Sequence, residues 1–343
     1  MARISGWLFH SIFGLINWGK EAKLAKSKGP RMSRRLLFVA GLLLLVGIAT
    51  GVYGLMSTPS TEIQDVVRPK TLVDKVSTVD EFDQLAQTDP VQLLNNCLVR
   101  YEREVQGGFH CMLDKQERIK GVLNPREEID LYVRGDVPVA NTNKTQTQVL
   151  MKWLKGARKA GKLGFNYEVK GVLYDEAIDP SSMLTWRPTA SLLKEFKASV
   201  TGSDAVEASR YCIRDAGLYH VMLRTYNVWK QRKEEGAPQP HYLGRKPVEQ
   251  VGGLDCYIFK RICPALELDP FELGGKPVTQ PDKLAQEGFS EITIMIDAKN
   301  WLQVGTELRR PDGELVGAYY YKQIELNPIF TKESFEKDGL LKN

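Results

Sequence analysis

The sequence predicts an α+β protein: a curved antiparallel β-sheet with a helical lid, preceded by one transmembrane helix. Three observations predict it. A basic stretch abuts a 21-residue apolar run, 36–56, that carries no formal charge. Near ten short segments further on carry strand signals, several of them alternating apolar and polar residues. Two segments repeat apolar residues at helical spacing and then meet glycine or proline. The composition, 43% hydrophobic and 26% charged over 343 residues, is that of a globular protein. It excludes a collagen-like chain, a largely disordered one and a polytopic membrane protein.

Charge divides the chain. Residues 1–35 hold Arg3, Lys20, Lys23, Lys26, Lys28, Arg31, Arg34 and Arg35 against Glu21, a local charge of +7. The whole chain carries +5, so residues 36–343 carry −2. That near-neutral bulk gives no footprint for nucleic acid. A helix over 36–56 would be roughly 32 Å long, enough for a hydrocarbon core of about 30 Å. The basic flank is expected to stay cytoplasmic, which sends the C-terminal bulk across the membrane, in a bacterium to the periplasmic side. A cleaved signal peptide is the alternative, with Ala49-Thr50-Gly51 as the cleavage site, but the apolar run continues through Met56. The first cysteine is Cys97, far from the run, so no lipid-modified cysteine is expected. Ile4, Leu8, Ile12, Leu15 and Ile16, widened by Trp7, Phe9, Phe13 and Trp18, make an apolar stripe. It reads as an interfacial helix on the anionic inner leaflet. The domain boundaries follow: 1–35 cytoplasmic, 36–56 spanning, 57–79 a polar linker and 80–343 the exported domain.

Within that domain Asp89-Pro90 starts a helix, Asp as N-cap and Pro at the first helical position. Leu93, Leu94, Cys97, Leu98 and Tyr101 form its apolar face, and Gly107-Gly108 stops it. Segments 109–118 and 127–134 are strands, the second with Ile129, Leu131 and Val133 alternating against Glu128, Asp130 and Tyr132. Segments 148–154 and 165–175 are further strands. Leu192, Leu193 and Phe196 suggest a short helix, and 213–235 a longer one whose stripe includes Leu218 and Met222. Strands return at 241–249, 254–263, 289–297, 301–310 and 314–326, with a Pro/Gly-containing insert at 264–288 and a turn at Pro311-Asp312-Gly313.

Catalytic chemistry finds little support. The four histidines form no HxxxH or HxH pair, and no CxxC, GxSxG, Walker A or GxGxxG occurs, so no metal and no cofactor are expected. Cys256 and Cys263 cannot bridge on one strand, and most cysteines are expected to be small buried hydrophobes. Lys115, Glu117 and Arg118 are the most polar strand cluster, and cross-strand ion pairing accounts for them.

Cys111, Lys115, Gln116, Glu117, Arg118, Glu127, Glu128, Val133, Arg134, Lys152 and Trp153, then 210–218, 253–264 and 292–327, follow one another in an order that resembles an uncharacterised bacterial family of the LolA-like, outer-membrane lipoprotein-sorting superfamily. Cys212 stands where the family usually has proline. The resemblance implies a half-open antiparallel barrel around a helical lid. Its apolar concave face would hold the acyl chain of a lipid or lipoprotein. The expected role is therefore a membrane-anchored, periplasm-facing binding or carrier module without catalysis. The alternative is a periplasmic sensor or scaffold for an envelope protein partner. Cavity candidates are Phe109, Leu113, Ile129, Leu131, Met151, Trp153, Ile258 and Tyr320 on the sheet, with Leu218 and Met222 on the lid side. Which face each residue takes is set by register, and a one-residue slip inverts it.

Overall fold

The computed structural model describes residues 78–139, 145–157, 159–160, 167–186, 195–273 and 281–336. The expected span at 36–56, the interfacial helix and nearly all of the linker lie outside these residues. Among them no helix is long and apolar enough to cross a membrane.

Thr78 begins the described chain as the N-cap of α1 (Val79–Thr88), where Thr78 and Glu81 cap one another reciprocally. Asp89 then caps α2 (Pro90–Glu104), its carboxylate accepting from the Gln92 N–H with Pro90 in the first turn, as the sequence leads one to expect. Val105 closes α2 through its N–H on the Tyr101 carbonyl. Gly108 makes the sharp entry into the sheet at φ +84°, where a Cβ would sit 2.1 Å from the Val133 carbonyl oxygen.

The strands are β1 (Phe109–Ile119), β2 (Val122–Leu123), β3 (Glu127–Arg134), β4 (Gln148–Lys155), β5 (Lys159–Ala160), β6 (Tyr167–Glu168), β7 (Gly171–Asp175), β8 (Ser182–Trp186) and β9 (Glu195–Ser199). Next come α3 (Ser203–Ala208), α4 (Leu218–Glu234), β10 (His241–Val248), β11 (Leu254–Glu267), α5 (Pro281–Glu287), β12 (Phe289–Asp297), β13 (Gln303–Arg309) and β14 (Leu315–Leu326). One large, curved, open sheet runs in the order β10-β11-β12-β13-β14-β1-β3-β4-β7-β8-β9, with β2 paired to β1. Its pairs are antiparallel throughout. β5 and β6 form a separate small ribbon.

Alternation fixes which face is inside. Phe109, Cys111 and Leu113 lie opposite Val133, Leu131 and Ile129, and Ile129 and Leu131 lie opposite Trp153 and Met151. This face packs under α1, α2 and α4 in one apolar core that contains Phe82, Leu98, Tyr101, Leu218, Met222 and Trp229. Burying such side chains contributes roughly 1.5–3 kcal/mol each. On the opposite face, Phe335 closes a small cluster with Leu150 and Leu173.

Three local expectations differ. Of the expected helix at Leu192, Leu193 and Phe196, the first two lie outside the described residues and Phe196 lies on β9, opposite Thr185 of β8; pairing to a neighbouring strand overrides a weak helical preference. Segment 165–175 is broken between β6 and β7. β11 runs through Pro264 to Glu267, because its register with β12 slips between Ile262 and Glu267, and a proline is tolerated where the ladder is interrupted.

Candidate functional site

A cavity of about 150 Å³ lies between the inner face of the sheet and a roof formed by α3, the 209–216 turn and the first turns of α4. Its walls are mostly apolar: Leu113, Ile129, Met151, Trp153, Val172, Met183, Phe196 and Val200. A cavity of about this size accepts a benzene-sized molecule.

A charged cluster is set into this wall. Lys115 Nζ lies 3.3 Å from Glu117 Oε2 and 3.5 Å from Glu127 Oε2. Register puts it there, since Lys115 stands directly opposite Glu127 and shares its face with Glu117 two residues on. The indole Nε1–H of Trp153 donates to Glu127 at 2.7 Å. The Tyr319 hydroxyl donates to Glu117 at 2.8 Å, and the Arg210 N–H at 3.3 Å. Glu117 is 0% and Glu127 1% exposed. Two carboxylates around one ammonium, each with further donors, form a closed network; such clusters hold only when every member is paired. Lys115–Glu127 is thus a cross-strand ion pair, and Lys115–Glu117 one within β1.

A second cavity of about 60 Å³ lies between α4, the 267–270 segment and β12–β13. Tyr211, Arg224, Tyr319 and Tyr321 line both cavities and form the wall between them. Arg224 stacks its guanidinium 4.2 Å from the Tyr211 ring centroid, and Tyr211 meets Tyr319 edge-on at 5.7 Å. Burial opposes the charge on Arg224, but Tyr211, Asp269, Asp215 and Tyr321 outweigh it and hold its pKa above the ordinary arginine value. Burial and the adjacent Asp269 push the Tyr211 hydroxyl well up. It donates to Asp269 at 2.9 Å.

Of the residues singled out from sequence, Leu113, Ile129, Met151 and Trp153 line the larger cavity, together with Lys115 and Glu117. Phe109, Leu131, Leu218, Met222 and Ile258 are buried in the adjoining core and do not line it. Tyr320 is on the other face: it stands opposite Asp114 and bonds Glu307. Tyr319 and Tyr321, opposite Lys115 and Leu113, take the inner positions. The choice between Tyr320 and its neighbours is the one-residue inversion to which strand assignments are prone. Gln116, Arg118 and Lys152 also occupy the outer face, where Arg118 pairs with Glu314 at 2.9 Å and Lys152 stands opposite Asp130. Tyr211, Val172, Met183, Thr185 and Arg224 had not been singled out. The first sits in a turn and the others on short or long elements where periodicity does not distinguish wall from packing.

The thiols offer no nucleophile. All five cysteines are unbridged and buried. Desolvation pushes Cys97 and Cys111 far up and Cys212, Cys256 and Cys263 up to about 12, which leaves them protonated. His220 is pushed down to about 3 by burial and by Arg224 and Arg214, and is therefore neutral.

Residues 106–267 match the model of a family described as a protein of unknown function, DUF1571. The match contains the motif residues from Cys111 to Trp153, the 210–218 segment and the 253–264 strand, and the resemblance to an uncharacterised family holds there. No curated protein matches the chain. Among solved structures, LprF from Mycobacterium bovis is 13% identical with a TM-score of 0.37, over 70% of this chain and 94% of that one. A LolA superfamily protein from Nitrosomonas europaea is 10% identical with a TM-score of 0.26, over 72% and 99%. The Pseudomonas aeruginosa MucA/MucB complex gives 11% identity and a TM-score of 0.35, over 72% of this chain and 60% of that one, so the chain spans about three-fifths of that relative.

Proposed function

We propose that the domain is a non-catalytic binding module that takes an acyl group of a lipid or lipoprotein between its sheet and its helical lid. It would be held at the periplasmic side of a bacterial inner membrane by the 36–56 segment. The observation that carries the reading is the mostly apolar cavity of about 150 Å³ under α3 and the 209–216 turn, in whose wall Lys115, Glu117 and Glu127 are paired with one another. A hydrocarbon entering it gains roughly 25 cal/mol for each Å² withdrawn from water and breaks no ion pair. Its size suits one end of a chain.

The test is organic extraction of the purified full chain followed by lipid mass spectrometry, beside a Met151→Trp variant that fills the cavity. A stoichiometric acylated species in the natural protein, lost in the variant, supports the reading. Equal recovery from both would mark the lipid as surface-bound and defeat it. The same size favours a second reading, in which a protein partner inserts one apolar side chain. An empty extract with a stoichiometric partner, released by Met151→Trp, would select it.

A further inference from the structure

Two buried donors meet at the wall between the two cavities. Arg224 on α4 is 9% exposed. Its Nη1 donates to the Asp215 carbonyl at 3.2 Å, and Tyr211 covers one face of the guanidinium. Among the described residues it makes no ion pair, so most of the five N–H donors of a guanidinium lack a protein acceptor. Tyr321 on β14 is 4% exposed, and its hydroxyl has no hydrogen-bond partner among the described residues. Both side chains line both cavities, and the charge of one acts on the hydroxyl of the other. Their neighbours are already committed: the Tyr211 hydroxyl to Asp269 and the Tyr319 hydroxyl to Glu117. Donors of such enclosed side chains that face a cavity are met by whatever acceptor enters it.

We propose that Arg224 and Tyr321 receive the carboxylate or carbonyl oxygens of an acyl group whose hydrocarbon fills the larger cavity. The inference rests on the acyl-binding reading and adds to it the chemistry of the ligand's head. A guanidinium and a phenol are both donors to a carboxylate, and charge-assisted hydrogen bonds are the strong ones. The paired Lys115–Glu117–Glu127 cluster makes no comparable offer, since its donors already face carboxylates. A cationic head of the same chain length meets the like charge of the Arg224 guanidinium and binds less tightly.

Equilibrium dialysis of the full chain in an amphipol, with empty amphipol as blank, would compare octanoate, methyl octanoate and octylamine. Octanoate should bind at least tenfold tighter than octylamine. Arg224→Gln should weaken octanoate about ten- to a hundredfold and Tyr321→Phe about two- to tenfold, the range for charged and neutral hydrogen bonds, with octylamine unchanged. Methyl octanoate separates the sources: if it matches octanoate the head is an ester or amide carbonyl, as in a lipid or lipoprotein, and if it trails far behind, a free acid. Equal binding of octanoate and octylamine, or a folded Tyr321→Phe protein with unchanged octanoate affinity, would overturn the donor pair. Should that happen while the extract of the natural protein still holds an acylated species, the acyl reading survives and only the head assignment falls. An empty extract with no binding of any probe removes both.

Discussion

The hydroxyl of Tyr101 donates to Oδ2 of Asp136 across 2.9 Å, joining α2 to the turn that follows β3. The same carboxylate accepts from the backbone N–H of Tyr219 in the first turn of α4. Asp136 is therefore the point at which both long helices are pinned to the sheet. The pinning needs Gly217: its φ is +133°, and a Cβ there would sit 3.0 Å from Asp136 Oδ2.

Burial outweighs these donors and raises the Asp136 pKa from 3.8 to about 6. A carboxyl whose folded pKa exceeds its unfolded one favours the fold when protonated, and that advantage fades as pH rises from about 4 to about 6. The full difference is about 3 kcal/mol. Paired urea denaturations of the natural protein and Asp136→Asn should show the natural protein losing about that much relative to the variant between pH 4 and pH 7. A gap that does not move with pH would contradict the assignment.

Lys115→Met leaves Glu117 and Glu127 buried without their shared ammonium. The expected loss is about 3–5 kcal/mol, read as a lowered urea midpoint. Combining it with Glu117→Gln and Glu127→Gln should return most of that loss, because the uncompensated charge is what costs.

Trp153→Phe keeps an aromatic ring on the cavity wall but removes the donor to Glu127. A loss of about 1–3 kcal/mol is expected, smaller than for Lys115→Met. Thermal unfolding of the two variants side by side gives the ranking.

A thiol reagent should leave all five cysteines unmodified in the folded protein and label all five in guanidinium chloride, since each is buried and protonated. Rapid labelling of any one without denaturant would refute the burial of that thiol.

Much of the sheet is legible in the sequence because its strands bury one face. Ile129, Leu131 and Val133 alternate with polar residues, and the structure pairs them as that alternation requires. The start of α2 is equally plain, as Asp89-Pro90 combines a cap with a residue that fits only the first turn. The start of α1 was there to be read, since Thr78 and Glu81 have capping-box spacing, but a polar composition hides it within a linker. The face of β14 is not legible: three consecutive tyrosines carry no apolar–polar contrast, and only the pairing of Lys115 with Tyr319 decides it. Nor is the wall between the cavities, which joins a turn, a helix and a distant strand through Tyr211, Arg224 and Tyr321.

The strand order leaves β10 at one rim of the open sheet. Along that rim stand Arg245, Lys246 and Pro247, and the pairing with β11 slips between Tyr242 and Arg245. Repelling charges, an imino residue that cannot donate and a kinked ladder all resist the addition of a foreign strand. The molecule can thus keep its sheet unclosed without seeding edge-to-edge aggregation along β10.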